Sequence, residues 1–362
     1  MKKISIVVGA RPNFVKVAPL IRAIKNVEGA EHRLIHAGRE DDPTLEASLF
    51  DDLQMPRPDV FLGVDSTSLN EITSRVMAEF DAYLDREPTD GVIVVDDLAS
   101  TMAAAIVTKK RGIKLAHLVA GTRSFDMNMP KEVNRLVIDA LSDYLFTAGI
   151  RSNSVATREQ AEGSNTYMVG NILMDTLRFN HQRFRKPQLS SLLASSSSFP
   201  DPQGYLVFTL NRKALLADEA NLRQMIEAMI EAADGMPIVA PLRGRAAEVV
   251  TAFLAPRSSF LVTSPLSYLE FGWLTANARG IITDSGNVAE EATFNGVPCI
   301  TLNSYTEHQE TVTVGSNVLV GENAQRLAEE VRRMVSGQWK KCALPDRWDG
   351  RTAERIVQIL LK

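Results

Sequence analysis

The sequence has two cysteines in 362 residues, five histidines and no long apolar run, and each shortage excludes a class of function. Two cysteines cannot build a disulfide framework or a thiolate zinc cluster. Cys299, in the strand-like run Pro298-Cys-Ile-Thr-Leu302, reads as a small buried hydrophobe. No stretch reaches the roughly 18–20 apolar residues of a membrane span. No secretory leader is expected, because a strand pattern begins by Ile4. The net charge of −4 leaves no basic excess for a nucleic-acid surface, while permitting a local basic pocket. The turn after the first strand lacks the G-x-G-x-x-G spacing of dinucleotide folds and the G-K-[ST] of phosphate loops. No metal and no cofactor are therefore expected. What remains is a cytosolic globular chain, 45% hydrophobic and 23% charged, long enough for two domains with separate cores.

Hydrophobic runs alternate between strand and helix character from end to end. Strands are expected at residues 4–8, 33–37, 91–95, 114–119 and 144–147, then at 205–209, 237–240, 260–262, 280–283, 298–302 and 318–320. Helical periodicity falls at 69–84, 134–141, 222–233, 289–294 and 353–361. The pattern predicts an α/β chain of two Rossmann-like, doubly wound domains facing a cleft, divided into 1–175 and 176–345. The Ser/Pro-rich stretch 186–204 reads as an exposed connection early in the second domain.

Polar residues collect directly after the strands, positions that share one rim in an open α/β sheet. Arg11 and Lys16 bracket the turn after the first strand, where free N–H groups and a helix dipole converge; this is an anion site or a purely structural turn. Asp96 and Asp97 follow the third strand, His117 lies in the next, and Arg123 follows its Gly121 turn. In the second half, Asn211, Arg212 and Lys213 follow Thr209, Arg243 and Arg245 follow Pro241, and Asp284-Ser285-Gly286-Asn287 opens a helix. Plainer readings stand beside these. Asp97 and Asp284 suit helix caps, His117 suits a satisfied core histidine, and Glu290-Glu291 suits the dipole of its helix. Taken together, the residues indicate a two-domain α/β enzyme for an anionic, nucleotide-bearing ligand.

Ordered motifs carry the reading further. They are Gly9-Ala-Arg-Pro-Asn-Phe-Val-Lys-Val-Ala-Pro19, Val95-Asp-Asp97, His117-Leu-Val-Ala-Gly-Thr-Arg123, Met129-Pro-Lys-Glu-Val-Asn-Arg135 and Val169-Gly-Asn171. Thr209-Leu-Asn-Arg212, Asp284-Ser-Gly-Asn-Val-Ala-Glu-Glu291 and Thr306-Glu-His-Gln-Glu310 follow in the second half. In this order they resemble the non-hydrolysing UDP-N-acetylglucosamine 2-epimerase family, over nearly the whole chain. The segment Phe125-Asp-Met-Asn-Met-Pro130 looks most like the branch handling diacetamido uronic acid nucleotides. The resemblance implies a GT-B fold whose terminal helix, within 346–362, packs back on the first domain. It also implies a homodimer and a UDP-sugar substrate. Ser285 and Gly286 would face the diphosphate, Glu290 the ribose, and Arg11 the phosphates from the other domain with Lys16 close by. Arg135 and Glu307 belong to matching motifs, and Asp97 and Glu132 match acid/base carboxylates.

The reaction implied inverts C2 by eliminating UDP to a glycal and adding it back on the other face, which calls for a base, an acid and charge neutralisation. Here the sequence departs from the pattern. A usual Glu is Val119, a usual His is Asn211, a Gly is Asp96, a His near the sugar is Arg243, and a second Gly is Asn287. The usual Gly-Gln-His of an activator site is Gly38-Arg39-Glu40. Asp96 could replace the missing Glu if it paired with Asp97 and raised one pKa, although consecutive strand residues face opposite sides. Three readings stay open: an altered epimerase using Asp97 and Glu132, with Arg243 suited to a uronic sugar; a UDP-sugar glycosyltransferase with Asp97 as base toward an acceptor; and a non-catalytic UDP-sugar binder.

Overall fold

The computed structural model describes residues 2–188, 204–254 and 259–362, so most of the Ser/Pro-rich stretch 186–204 lies outside the described residues. The chain divides into two compact units, Met1–Phe179 with Asp346–Lys362, and Asn180–Pro345. Both are doubly wound α/β units, as the alternation predicts.

The first unit runs β1 (Lys2–Val8), α1 (Arg11–Lys25), β2 (Ala30–His36), α2 (Ala47–Leu53), β3 (Val60–Phe61), α3 (Leu69–Arg86), β4 (Gly91–Val95) and α4 (Ala99–Lys110). It continues through β5 (Lys114–Ala120), α5 (Pro130–Leu141), β6 (Tyr144–Thr147), α6 (Ile150–Glu159), β7 (Asn165–Met168) and α7 (Ile172–Asn180). Its seven parallel strands stand in the order β3-β2-β1-β4-β5-β6-β7, with Ile6 opposite Leu34 on one side and Ile93 on the other. Helices cover both faces, so the central strands are buried on alternate sides alike: Ile6, Val7 and Val8 are all inaccessible. Helix α1 presents Phe14, Val17, Leu20, Ile21 and Ile24 to the sheet at helical spacing. The two-residue β3 is too short to leave a periodic signal and was not expected.

The second unit runs β8 (Leu206–Thr209), α8 (Lys213–Ala217), α9 (Glu219–Ala232), β9 (Ile238–Pro241), α10 (Gly244–Phe253), β10 (Phe260–Thr263) and α11 (Tyr268–Ala276). It then adds β11 (Gly280–Thr283), α12 (Gly286–Asn295), β12 (Cys299–Thr301), α13 (Glu310–Thr313), β13 (Asn317–Leu319) and α14 (Ala324–Val335). Its six parallel strands stand in the order β10-β9-β8-β11-β12-β13. Leu206, Phe208, Ile226, Met229 and Val331 pack one face of this sheet, while Val207, Ile281, Leu274 and Ala292 pack the other. Cys299 is buried there as a small hydrophobe, and burial pushes its thiol up to about 12.

The last helix, α15 (Thr352–Leu360), returns to the first unit and packs on α1. Three residues hold the return. Asp175 of α7 accepts the first N–H groups of the helix, Thr352 N at 3.0 Å and Ala353 N at 2.8 Å. Trp348 is buried and donates its Nε1–H to the Ala148 carbonyl at 3.0 Å. Gly170 has φ +104°, and a Cβ there would sit 2.1 Å from the Arg347 carbonyl oxygen, so only glycine lets the two segments meet.

Candidate functional site

In each sheet the strand order reverses between the first strand and the fourth, the switch point where open α/β sheets bind ligands. In the first unit that point lies between the ends of β1 and β4. Asn13 organises the turn after β1: its Oδ1 accepts Gly9 N at 3.0 Å and Ala10 N at 3.3 Å, and its Nδ2 donates to Asp96 Oδ2 at 2.8 Å. Lys16 reaches the other Asp96 oxygen at 2.5 Å, and both side chains are largely buried. Lys16, expected near a diphosphate, thus has its charge matched within the protein. Arg11, at the first position of α1, stands half-buried beside this turn.

Asp96 takes a left-handed backbone, φ +59°, which turns its carboxylate to α1, while Asp97 is held by α5. The two carboxylates face different helices, as the alternation of consecutive residues anticipates, and they form no pair. Arg135 grips Asp97 Oδ2 through Nε at 2.8 Å and Nη2 at 2.6 Å, and Asn134 Nδ2 holds the Asp97 carbonyl at 2.8 Å. Lys131 Nζ lies 3.4 Å from the remaining oxygen, Oδ1. Burial works to raise the Asp97 pKa, but the Arg135 and Lys131 charges outweigh it and hold the carboxyl below its ordinary value, the opposite of what a pair with Asp96 would do. Nor does Asp97 cap a helix: Leu98 is the N-cap of α4.

Glu132 is committed more completely. Its Oε2 accepts Ser124 N at 2.8 Å, Ser124 Oγ at 2.9 Å and Arg135 Nη1 at 3.1 Å, and its Oε1 accepts Phe125 N at 3.0 Å. These donors overcome the desolvation that would raise its pKa, and the carboxyl is held below the usual range. The residue expected to partner Asp97 in proton transfer therefore clamps a loop in which Phe125 sits at φ +60° and stays exposed.

His117 is likewise engaged at both ends. Nδ1 meets Asp139 Oδ1 at 2.5 Å and Nε2 meets the Asp96 carbonyl at 2.9 Å, the satisfied core arrangement. Asp139 also takes Arg123 Nη1 at 2.7 Å and Gly121 N at 3.0 Å, and Arg123 reaches Glu159 at 2.9 Å. Arg123 is buried within this network. It braces an irregular end of β5, where Val119 adopts φ +76°, a region a β-branched residue seldom enters.

In the second unit the switch point lies between β8 and β11. The Thr209 and Thr283 hydroxyls meet across it at 2.7 Å. Asp284 does not cap α12; its Oδ2 accepts Asn211 N at 2.7 Å and Arg212 N at 2.5 Å, lashing the two strand ends together. Burial raises its pKa, and those two N–H groups oppose the rise. Ser285 is the N-cap of α12 but makes no side-chain cap, so the first N–H groups at Gly286 and Asn287 have no capping side chain. Asn211 is exposed, and Arg212 pairs with Glu322 at 2.9 Å and Asn303 at 3.1 Å. Arg243 is the exposed N-cap of α10 and has no ion-pair partner among the described residues. Glu290 is buried with His308 Nε2 at 3.6 Å, and Glu307 is half-buried beside it in sequence.

Two residues were missed. Glu291 is buried with no cation paired to it among the described residues, and desolvation with the neighbouring Glu290 charge pushes it up to about 8. Lys131 lies inside the Met129–Arg135 motif, and its spacing of four from Arg135 puts both on one helix face. Among the described residues no His/Cys/Asp/Glu group could hold a metal ion, and no helix is long and apolar enough to cross a membrane.

Residues 22–361 match the family model described as UDP-N-acetylglucosamine 2-epimerase. A UDP-N-acetylglucosamine 2-epimerase of Methanocaldococcus jannaschii is 33% identical over 99% of this chain and 98% of its own. A UDP-2,3-diacetamido-2,3-dideoxy-D-glucuronate 2-epimerase of Pseudomonas aeruginosa is 32% identical over 91% of each chain. The crystal structure of the Methanocaldococcus jannaschii UDP-GlcNAc 2-epimerase with UDP-GlcNAc and UDP superposes with a TM-score of 0.85, at 32% identity over 99% of both chains.

Proposed function

The chain belongs to the UDP-N-acetylglucosamine 2-epimerase family, and from that premise we propose that it inverts C2 of a UDP-linked acetamido sugar bearing a carboxylate. The observation that carries the reading is the contrast within Asp97: one oxygen is gripped twice by Arg135, while the ion pair to Oδ1 among the described residues is the exposed Lys131 at 3.4 Å. A fixed, ionised carboxylate with one oxygen available is what C2 proton abstraction requires. As the proton leaves, the C1–O bond breaks and UDP departs with the electron pair. Return of a proton to the other face and re-addition of UDP at C1 complete the inversion.

In this reading the second unit holds the nucleotide. The uncapped N–H groups of α12 and the Ser285 hydroxyl take the diphosphate, whose charge the helix dipole favours. The buried carboxylates Glu290 and Glu291 accept the ribose hydroxyls, whose donors would relieve the unpaired burial of Glu291. Arg11 stays a proposed phosphate contact. Arg243, exposed and without an ion-pair partner among the described residues, suits the sugar carboxylate, in line with the uronate named for the Pseudomonas aeruginosa relative. Glu132 serves by holding the 124–125 backbone and Arg135.

Proton NMR in D2O with UDP-N-acetylglucosamine and UDP-diacetamido-glucuronate tests the proposal. Deuterium enters C2, faster with the uronate. Val119, where a carboxylate is usual, favours one competing reading, sugar transfer to an acceptor. No exchange with either donor, together with UDP release only when an acceptor is added, would select that reading. Ser285→Ala and Arg11→Ala each weaken UDP binding by calorimetry. We place the enzyme in the cytoplasm as a homodimer, which light scattering of the purified chain checks.

A further inference from the structure

Epimerisation needs a second proton-transfer group, and the first unit leaves few to choose from. Glu132 accepts four hydrogen bonds. Asp96 is taken by Asn13 and Lys16. His117 is engaged at both nitrogens, and Asp139 by His117, Arg123 and Gly121. Val119 has no proton to give. Lys131 differs from all of these. Its side chain is 58% exposed, it stands one turn before Arg135 on α5, and its one ion pair among the described residues is the 3.4 Å approach to Asp97 Oδ1, the oxygen opposite the one Arg135 grips.

Resting on the epimerase reading above, we propose that Lys131 is the acid that returns a proton to C2 of the glycal intermediate. Asp97 and Lys131 then differ in mobility as a two-faced reaction requires. Asp97 is fixed by three hydrogen bonds, whereas Lys131 carries its ammonium on a flexible four-carbon stem. The cycle balances. Asp97 Oδ1 takes the C2 proton as the C1–O bond breaks and UDP leaves. The Lys131 ammonium, swung out of its contact with Asp97 on that stem, then gives a proton to C2 on the opposite face while a diphosphate oxygen of UDP re-forms the bond to C1. Lys131 is left as the free amine and Asp97 as the acid, and transfer across their contact restores both. No outside oxidant, reductant or acceptor enters.

The test compares wild type, Lys131→Met and Lys131→Arg by C2 exchange in D2O, glycal formation and UDP calorimetry. Both variants lose epimerisation by about 10²–10⁴-fold, the usual share of a general acid. Both keep UDP affinity within about twofold, and both still release UDP and glycal, because elimination needs only Asp97. Arginine keeps the charge but does not surrender a proton in proteins. Epimerisation at the wild-type rate in Lys131→Arg would therefore overturn the proposal and leave Lys131 a charge alone. Full activity in both variants, with exchange intact in wild type, would remove Lys131 and spare the epimerase reading. Absence of exchange in wild type with every UDP-sugar would overturn both.

Discussion

Replacing Glu132 by glutamine separates a clamp from a proton carrier. The shape is kept and the charge is lost. Oriented best, the amide oxygen takes the Oε2 place and keeps Ser124 N, Ser124 Oγ and Arg135, which sets the amide NH2 against the Phe125 N–H that now bonds Oε1 at 3.0 Å. Donor then faces donor. An unsatisfied N–H costs about 1–3 kcal/mol, and the bond to Arg135, no longer between two charges, weakens by about 1 kcal/mol. The 124–125 segment should lose about 3 kcal/mol of local stability, and its amides should exchange about 100-fold faster. Hydrogen-exchange mass spectrometry of a peptide spanning 121–129 measures this directly. Exchange within about threefold of wild type, combined with turnover reduced by about 10²–10⁴-fold, would refute the clamp and return Glu132 to proton transfer.

Gly170→Ala forces a Cβ against the Arg347 carbonyl at φ +104°, and we expect a loss of about 3 kcal/mol or more, seen as a lower urea midpoint and early exposure of Trp348 fluorescence. Asp175, whose pKa burial raises from 3.8 to about 6 against the pull of the Ala353 and Thr352 N–H groups, makes the first unit pH-dependent. Because the folded value is the higher one, its stabilising share is complete below about pH 3.8 and is lost as pH rises through 6, a change of about 3 kcal/mol. Asp175→Asn should flatten the urea midpoint between those limits; an unchanged slope would refute the burial argument. Val119→Gly should cost less than about 1 kcal/mol, since relief at φ +76° offsets the lost half-buried side chain; a loss above about 3 kcal/mol would show that the left-handed backbone stores no strain.

The sheets were legible because a parallel strand buried on both faces reads as a near-continuous apolar run, as in Ile4–Val8, interrupted by Ser5 alone, and in Gly91–Val95, and the intervening helices keep their own period. The rim was legible for the same reason, since polar residues stop those runs. Which partner each rim residue takes was not. Asp284 reads as a helix cap because a cap and a brace between strand ends use the same acceptor oxygens, and only the pairing of β8 with β11 separates them. Asp96 and Lys16 stand 80 positions apart, beyond any local pattern. The left-handed turns at Val119 and Phe125 oppose the preferences of their own residue types, so tertiary contacts impose them. For Lys131 the sequence shows the four-residue spacing from Arg135 but not the approach to Asp97, 34 positions away.

The return of α15 to the first unit sets an order for folding on the ribosome. The second unit is one continuous stretch, 180–345, and can close as soon as it clears the exit tunnel. The first unit cannot. Asp175 and the Ala148 carbonyl wait for Thr352 and Trp348, residues made some two hundred positions later. The half that emerges first is therefore finished last, and it passes most of its synthesis with the α1 face that α15 will cover still open. A nascent chain stalled before residue 346 would hold a finished second unit and an unfinished first one, an intermediate a chaperone could bind by that face.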